Sequence, residues 1–229
     1  MRKSSTYYLG KRPDIIKFLP NYYTKVLEIG CGDGGFSKNL KQTCEYWGIE
    51  PVQNVAKSAT KSLHKVLIGT YQEVHEHLPN NYFDLVICND VIEHMEDHDQ
   101  FFEMIKQKIR PDSHIVGSIP NVRYFANLYA LLLKRDWMYK DKGILDRTHL
   151  RFFTEKSLKR TILEHGFVIE EFQGINSAII RLRSIKRIIR YVIIRFIEFG
   201  SLGLYSDIKF LRFAFRIRYK SLALPDAQL

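Results

Sequence analysis

Cysteine is scarce in this chain. Cys31, Cys44 and Cys88 are the only three among 229 residues, and none forms the C-x-x-C spacing of a structural zinc site or redox pair. Two of them sit in or beside apolar runs, so the expectation is a reduced, cytoplasmic setting rather than a disulfide scaffold. Long hydrophobic runs are missing too. FANLYALLL at 125–133 falls well short of the roughly 20 apolar residues that span a bilayer. The opening MRKSSTYYLGKRPD has no apolar segment of the kind a secretory signal needs. What is left is an ordinary globular composition, 45% hydrophobic and 26% charged, long enough for one domain with an appendage.

Acidic residues are sparse in one region. Residues 1–178 carry 24 Lys+Arg against 22 Asp+Glu, whereas 179–229 carry 11 against 3. The net charge of +10 is therefore concentrated in the C-terminal part, and charged partners are expected there.

Short apolar runs alternate with amphipathic ones: KVLEI then GFSKNLKQT, YWGIE then PVQNVAKSATKSL, KVLIG then YQEVHEHL, FDLVIC then HDQFFEMIKQKI, HIVGSI, and finally TEKSLKRTILEHG then FVIEEFQGI. Strands alternating with helices predict a mostly parallel sheet with right-handed crossovers and helices on both faces. The unbroken apolar character of KVLEI and FDLVIC fits strands covered on both sides. Two segments break the rhythm, 121–150 and the basic stretch that begins at Ile179.

Chemistry is concentrated in three places. VLEIGCGDGG, 26–35, ends a strand in Glu28 and turns through Gly30, Gly32 and Gly34, as a backbone does when it must let a ligand approach closely. WGIE ends the next strand in Glu50, where an acid can accept both hydroxyl hydrogens of a ribose. FDLVICNDVIEHM ends the fourth strand in Asn89 and continues with Asp90, Glu93 and His94. In one helical turn those three would share a face, and two carboxylates beside an imidazole suggest that something uses them.

Taken together, these three motifs resemble the class I S-adenosylmethionine-dependent methyltransferases over roughly residues 20–175. The resemblance implies an α/β, Rossmann-like, seven-stranded, mostly parallel sheet with an antiparallel last strand, and FLRFAFRIRY at 210–219 alternates as that strand should. The methyltransferase domain is then 1–178 and 208–220, with 121–150 an acceptor lid. Residues 179–207 form a basic amphipathic insertion between the last two strands, and 221–229 a tail. The resemblance further implies that Glu28 and the loop from Gly30 to Gly32 hold the methionine end of the cofactor, that Glu50 holds its ribose, and that Asn89 lies near the sulfonium. Thr70, with Tyr71, occupies the adenine region, where many relatives have an Asp. Arg12, in a segment resembling one that closes over the cofactor, is a candidate partner for its carboxylate.

Acid-x-x-Glu-His resembles the ubiquinone-biosynthesis O-methyltransferases and the small-RNA 2′-O-methyltransferases. It implies a divalent cation held by Asp90, Glu93, His94 and a later histidine, here His149 in DRTHLRFFT. Such a mixed oxygen and imidazole set suits Mg²⁺, Mn²⁺ or Zn²⁺; the departure is Asp90, where those groups have Glu. Without a cation, His149 is the general base, its ordinary pKa of about 6.5 lying near neutral pH. Oxygen is the expected acceptor atom, because no Asn/Asp-Pro-Pro-Tyr/Phe motif follows the fourth strand.

The segment 118–154 resembles a branch common in bacterial surface-polysaccharide clusters. That implies a sugar or glycan acceptor, lipid-linked in one version, with Tyr124, Tyr129, Trp137 and Tyr139 available for stacking. Residues 179–199 interleave Arg and Lys with Ile, Val and Phe, which suits peripheral contact at the inner face of a membrane, packing on the sheet or on another subunit, or an RNA-binding arm. RNA 2′-O-methylation and a non-catalytic module with the same fold stay open as alternatives.

Overall fold

The computed structural model describes residues 12–177 and 185–219. The start of the expected closing segment, the first part of the basic stretch and the 221–229 tail lie outside them. Seven strands form one sheet: β1 (Lys25–Ile29), β2 (Glu45–Glu50), β3 (Lys65–Ile68), β4 (Phe83–Asn89), β5 (Ile109–Pro120), β6 (Phe167–Ser177) and β7 (Phe210–Tyr219). Their order is β3-β2-β1-β4-β5-β7-β6. The first five pair in parallel, and β7 enters antiparallel between β5 and β6. This is the expected fold class, with FLRFAFRIRY as the antiparallel strand.

The apolar runs of the central strands explain why both faces are covered. Along β1, Leu27 and Ile29 point into one core and Val26 into the other; along β4, Val86 and Cys88 alternate with Leu85 and Ile87 in the same way. The first core is closed by α2 (Tyr71–Val74), α3 (His98–Lys106) and α5 (Glu155–Glu164), through Tyr71, Val74, Phe101, Phe102, Ile105, Leu158 and Ile162. The second is closed by α1 (Gln53–Ala59) together with Ile15, Phe18 and Phe36. Two further helices, α4 (Phe125–Leu133) and α6 (Ile185–Gly200), follow β5 and β6. All three cysteines are free and buried.

Two local expectations fail for identifiable reasons. GFSKNLKQT is not an α-helix but a 3₁₀ turn, Gly35–Asn39. Gly34 enters it left-handed at φ 82° and Leu40 is already extended, so little chain remains before β2, and the stretch is rich in poor helix formers. Asp90 also does not open a helix. Its own φ is +54°, a left-handed conformation that aspartate tolerates. Only a 3₁₀ turn, Ile92–His94, follows, and α3 begins at His98, where the Asp97 carboxylate accepts from Gln100 N.

Part of the C-terminal positive charge is internal to the fold. Arg216 and Arg218 of β7 pair with Glu170, Arg216 also lies 3.6 Å from Glu171, and Arg218 reaches Asp112. Arg212 pairs with Asp90.

Gly117, in β5 between β4 and β7, has no room for a side chain. A Cβ there would sit 2.6 Å from the Cys88 carbonyl oxygen and 2.8 Å from the Phe215 ring. Because the first obstacle is backbone, the strand pair must part to admit it. Gly117→Ala is expected to lower stability by about 2 kcal/mol or more, read as a fall in the urea midpoint with an unchanged slope. An unchanged midpoint would show that the β4–β5 contact yields without cost.

Candidate active site

The carboxyl ends of β1, β2 and β4 lie side by side in the sheet, which brings Glu28, the glycine turn, Glu50 and Asn89 to one edge. Gly30 N and Cys31 N donate to the Ile49 carbonyl at 2.8 and 3.0 Å, fastening the turn to β2. Gly30 has φ +70°, and a Cβ on it would stand 2.6 Å from Val91 Cγ2. Only glycine lets this turn lie against the turn that follows β4.

Glu50 is oriented by backbone. Gly32 N donates to Oε2 and Val52 N to Oε1, both at 3.0 Å. Each oxygen keeps one lone pair, which suits a pair of vicinal hydroxyls. Burial raises the Glu50 pKa against these two bonds, which favour the ionised form. Glu28 is buried and accepts a hydrogen bond from the Tyr46 hydroxyl. Desolvation lifts its carboxyl to about 8; the Tyr46 bond opposes that, while Glu50 and Asp33 add to it. The amide nitrogen and oxygen of Asn89 are both buried without a hydrogen-bond partner. A buried amide in that condition is costly unless a ligand completes it.

Two other expected cofactor contacts are engaged elsewhere. Thr70 is exposed and caps α2, with Glu73 Oε2 accepting from its N–H at 2.7 Å and from its hydroxyl at 2.9 Å. Arg12 is clamped among protein acceptors: Asp14 at 3.1 Å, Asp90 Oδ2 at 2.8 Å and Ser118 Oγ at 2.9 Å. Its guanidinium thus serves Asp90 beside the site.

The acid-x-x-Glu-His stretch divides. Asp90 Oδ2 receives Arg12, both its oxygens receive Arg212 Nε at 2.9 and 3.1 Å, and Oδ1 receives the Ser118 hydroxyl at 2.9 Å. The expected four-residue set therefore becomes three. Glu93, His94 and His149 each present a ligand atom, all within 4.8 Å of one another, and they form the only such group among the described residues. Sequence reasoning missed Arg212 and Ser118, although Arg212 is the first polar residue of the strand it singled out.

The backbone holds this trio. Leu150 N and Arg151 N donate to the Glu93 carbonyl at 2.8 and 3.0 Å. Asp146 caps the turn before His149 by accepting from Thr148 N and Oγ1. His94 Nδ1 lies 2.9 Å from the Thr148 carbonyl and His149 Nδ1 2.8 Å from the Ile144 carbonyl. A carbonyl only accepts, so Nδ1 is the protonated nitrogen of both rings, and in the neutral tautomer the lone pair lies on Nε2. Burial, with His94 next to it, lowers the His149 pKa and keeps it neutral at pH 7.

Glu93 is 1% exposed, and neither of its carboxylate oxygens has a hydrogen-bond partner. His149 Nε2 stands 4.0 Å from Oε1. Burial, with Asp90 adding its charge, drives the Glu93 pKa well above the ordinary carboxylate range. A buried carboxyl without hydrogen-bond partners, with one ligand atom of each of two histidines within 4.8 Å, is a donor set fit for a divalent cation.

The aromatic residues of 121–150 also separate. Trp137 and Tyr139 lie against Phe152, at 5.4 and 6.4 Å between centroids, and Phe152 meets His149 at 6.4 Å. They form a wall beside the trio, with Phe152 a member the sequence did not single out. Tyr129 instead stacks on Phe125, and Tyr124 is the N-terminal cap position of α4.

Comparisons with known proteins give the family and the fold. A family model described as "Methyltransferase domain" matches residues 6–171. The mitochondrial ubiquinone biosynthesis O-methyltransferase of Schizosaccharomyces pombe is 25% identical over 159 residues, covering 66% of this chain and 57% of that protein. The ubiquinone biosynthesis O-methyltransferase of Rickettsia canadensis is 25% identical over 173 residues, 70% of this chain and 72% of that one. Among solved structures, an S-adenosylmethionine-dependent methyltransferase from Archaeoglobus fulgidus superposes with a TM-score of 0.64 at 19% identity, covering 94% of both chains. The chain belongs to the methyltransferase domain family, with the fold of the class I S-adenosylmethionine-dependent enzymes.

Proposed function

We propose that this chain transfers the methyl group of S-adenosylmethionine to a hydroxyl oxygen, using a divalent cation held by Glu93, His94 and His149. The observation that carries the proposal is the buried Glu93 carboxylate, both oxygens unpartnered, beside two histidines whose Nδ1 atoms face carbonyls. A sulfonium methyl is already activated, so the protein's task is alignment and removal of one proton. Glu50 accepts the ribose hydroxyls, Glu28 and the turn from Gly30 to Gly32 face the methionine end, and the Asn89 amide completes its bonds on the bound cofactor. A cation held there would supply Lewis acidity, which lowers the pKa of an acceptor hydroxyl. With the Nε2 lone pair of His149 committed to the cation, the hydroxyl proton would pass to solvent; without a cation that lone pair is the proton acceptor. Trp137, Tyr139 and Phe152 give a ring-bearing acceptor a surface to lie on.

The names of the curated relatives support a hydroxyl on a quinone-like ring as acceptor. The surface-polysaccharide hydroxyl expected from the sequence has no support among the comparisons, and no observation favours RNA. Methyl-labelled S-adenosylmethionine offered with prenylated dihydroxybenzenes, free sugars and RNA tests this. Label is expected on an oxygen of the aromatic compound; label in sugar or RNA alone would reassign the acceptor.

Glu28 gives the cofactor step a pH dependence. Holding the ammonium of the methionine end needs the ionised carboxylate, and in the free protein that carboxyl titrates at about 8. Below that value a proton must leave as the cofactor binds. Affinity is then expected to fall by about tenfold for each pH unit below it, and to fall again above the pKa of the cofactor's own amino group, ordinarily about 8. Calorimetry across this range checks it, and a flat profile would mean the ammonium is held by another group.

A further inference from the structure

We propose that α6 and the turn after it form a docking surface for an anionic lipid bilayer. The helix touches the body of the protein along one side. Ile194 is 1% exposed, and Glu198 accepts from Lys209 Nζ at 2.7 Å. The other side has no partner among the described residues. Ile188, Ile189, Val192, Ile193, Phe196 and Phe199 are all exposed, Phe196 by 78% and Phe199 by 85%. At 3.6 residues per turn they make one stripe roughly 140° wide. Leu202 and Leu204, in the following turn, extend it at 94% and 78% exposure. Surface this apolar and contiguous is unusual on a protein that faces only water.

Charge selects the occupant. Residues 179–199 carry six Lys and Arg against the single acid Glu198, and that acid is already shared by Arg195 and Lys209. A second copy of this chain would bring two such cationic segments together. The headgroups of an anionic leaflet neutralise them while the acyl boundary takes up the apolar stripe. The helix has 16 residues, and no helix among the described residues is long and apolar enough to cross a membrane. It therefore lies in the plane of the interface.

The placement bears on the active site. Arg123 pairs with Asp207 at 2.8 Å and lies 4.9 Å from the Tyr205 ring centre, and Asn121 Nδ2 donates to the Asp207 and Phe210 carbonyls. The turn after α6 is thereby joined to the segment between β5 and α4, and α4 itself exposes Leu132 and Leu133 by 70% and 73%. The docked helix brings the acceptor side of the sheet edge to the lipid surface.

Vesicle flotation of the full chain tests this, comparing phosphatidylcholine alone with phosphatidylcholine containing about 30 mol % phosphatidylglycerol. The chain is expected to float with the anionic vesicles only. The Phe196→Ser/Phe199→Ser double variant and Arg190→Glu should each reduce flotation at least about tenfold, with S-adenosylmethionine affinity unchanged as the measure of intact folding. Absence of the wild-type chain from anionic vesicles overturns the proposal. So does a concentration-dependent dimer, seen by light scattering, that the double variant abolishes while flotation persists.

Discussion

Glu50→Ala is expected to weaken S-adenosylmethionine binding by about two to three orders of magnitude. On the proposed reading the substitution removes both ribose acceptors at once, and hydrogen bonds to a charged group contribute about 1.5–3 kcal/mol each. It also releases Gly32 N and Val52 N, which the same carboxylate holds at 3.0 Å, so the turn loses the group that fixes its shape. Glu50→Gln separates the two effects. Its amide oxygen can still receive one backbone N–H, but the NH₂ group cannot accept from a hydroxyl, so an intermediate loss is expected. Calorimetry with the cofactor measures both variants, and thermal melting without it verifies that they fold. Equal affinity in wild type and Glu50→Ala would remove the cofactor assignment of this edge, and with it the reading of Glu28 and Asn89.

Glu93→Gln separates the cation from the cofactor. The amide is nearly the same size as the carboxyl, yet it carries no charge and is a poor ligand for a hard cation. Methyl transfer is expected to fall by about a thousandfold, which corresponds to some 4 kcal/mol in the transition state. S-adenosylmethionine affinity should change less than about twofold. The independent readout is binding of the metal alone: Mn²⁺ titrated into the cofactor-free protein and followed by electron paramagnetic resonance. One site in wild type and none in Glu93→Gln or His149→Ala is the expected pair of results. Chelator-resistant turnover in wild type, together with a dead His149→Ala, would leave His149 acting as a base unaided.

The fold was legible because its signal is redundant. Every central strand is an apolar run whose alternate residues feed two cores, as Val26 and Leu27 do, and FLRFAFRIRY carries its own period. The glycine turn, Glu50 and Asn89 were legible for a similar reason, since backbone geometry at a strand end restricts the residue type. Asp90 was not, because spacing argues from a helix and this residue enters a left-handed conformation instead. Its partners come from distant sequence: Arg12 is 78 positions away and Arg212 is 122. Thr70, placed in the adenine region by resemblance, also has a structural duty that its Thr-x-x-Glu spacing announces, the capping box with Glu73. Phe152 was passed over because it becomes informative only once the turn of 144–149 folds His149 against it.

The place of β7 in the sheet has a consequence for biosynthesis. It inserts between β5 and β6 although it is made after both, so the native link between those two strands forms only once it arrives. Until Phe213 and Phe215 emerge from the ribosome, the larger core lacks two of its fully buried aromatics and Asp90 lacks Arg212. A nascent chain can therefore assemble the β1–β2 edge with Glu28 and Glu50 early, while the surroundings of Asp90 mature only with the final strand.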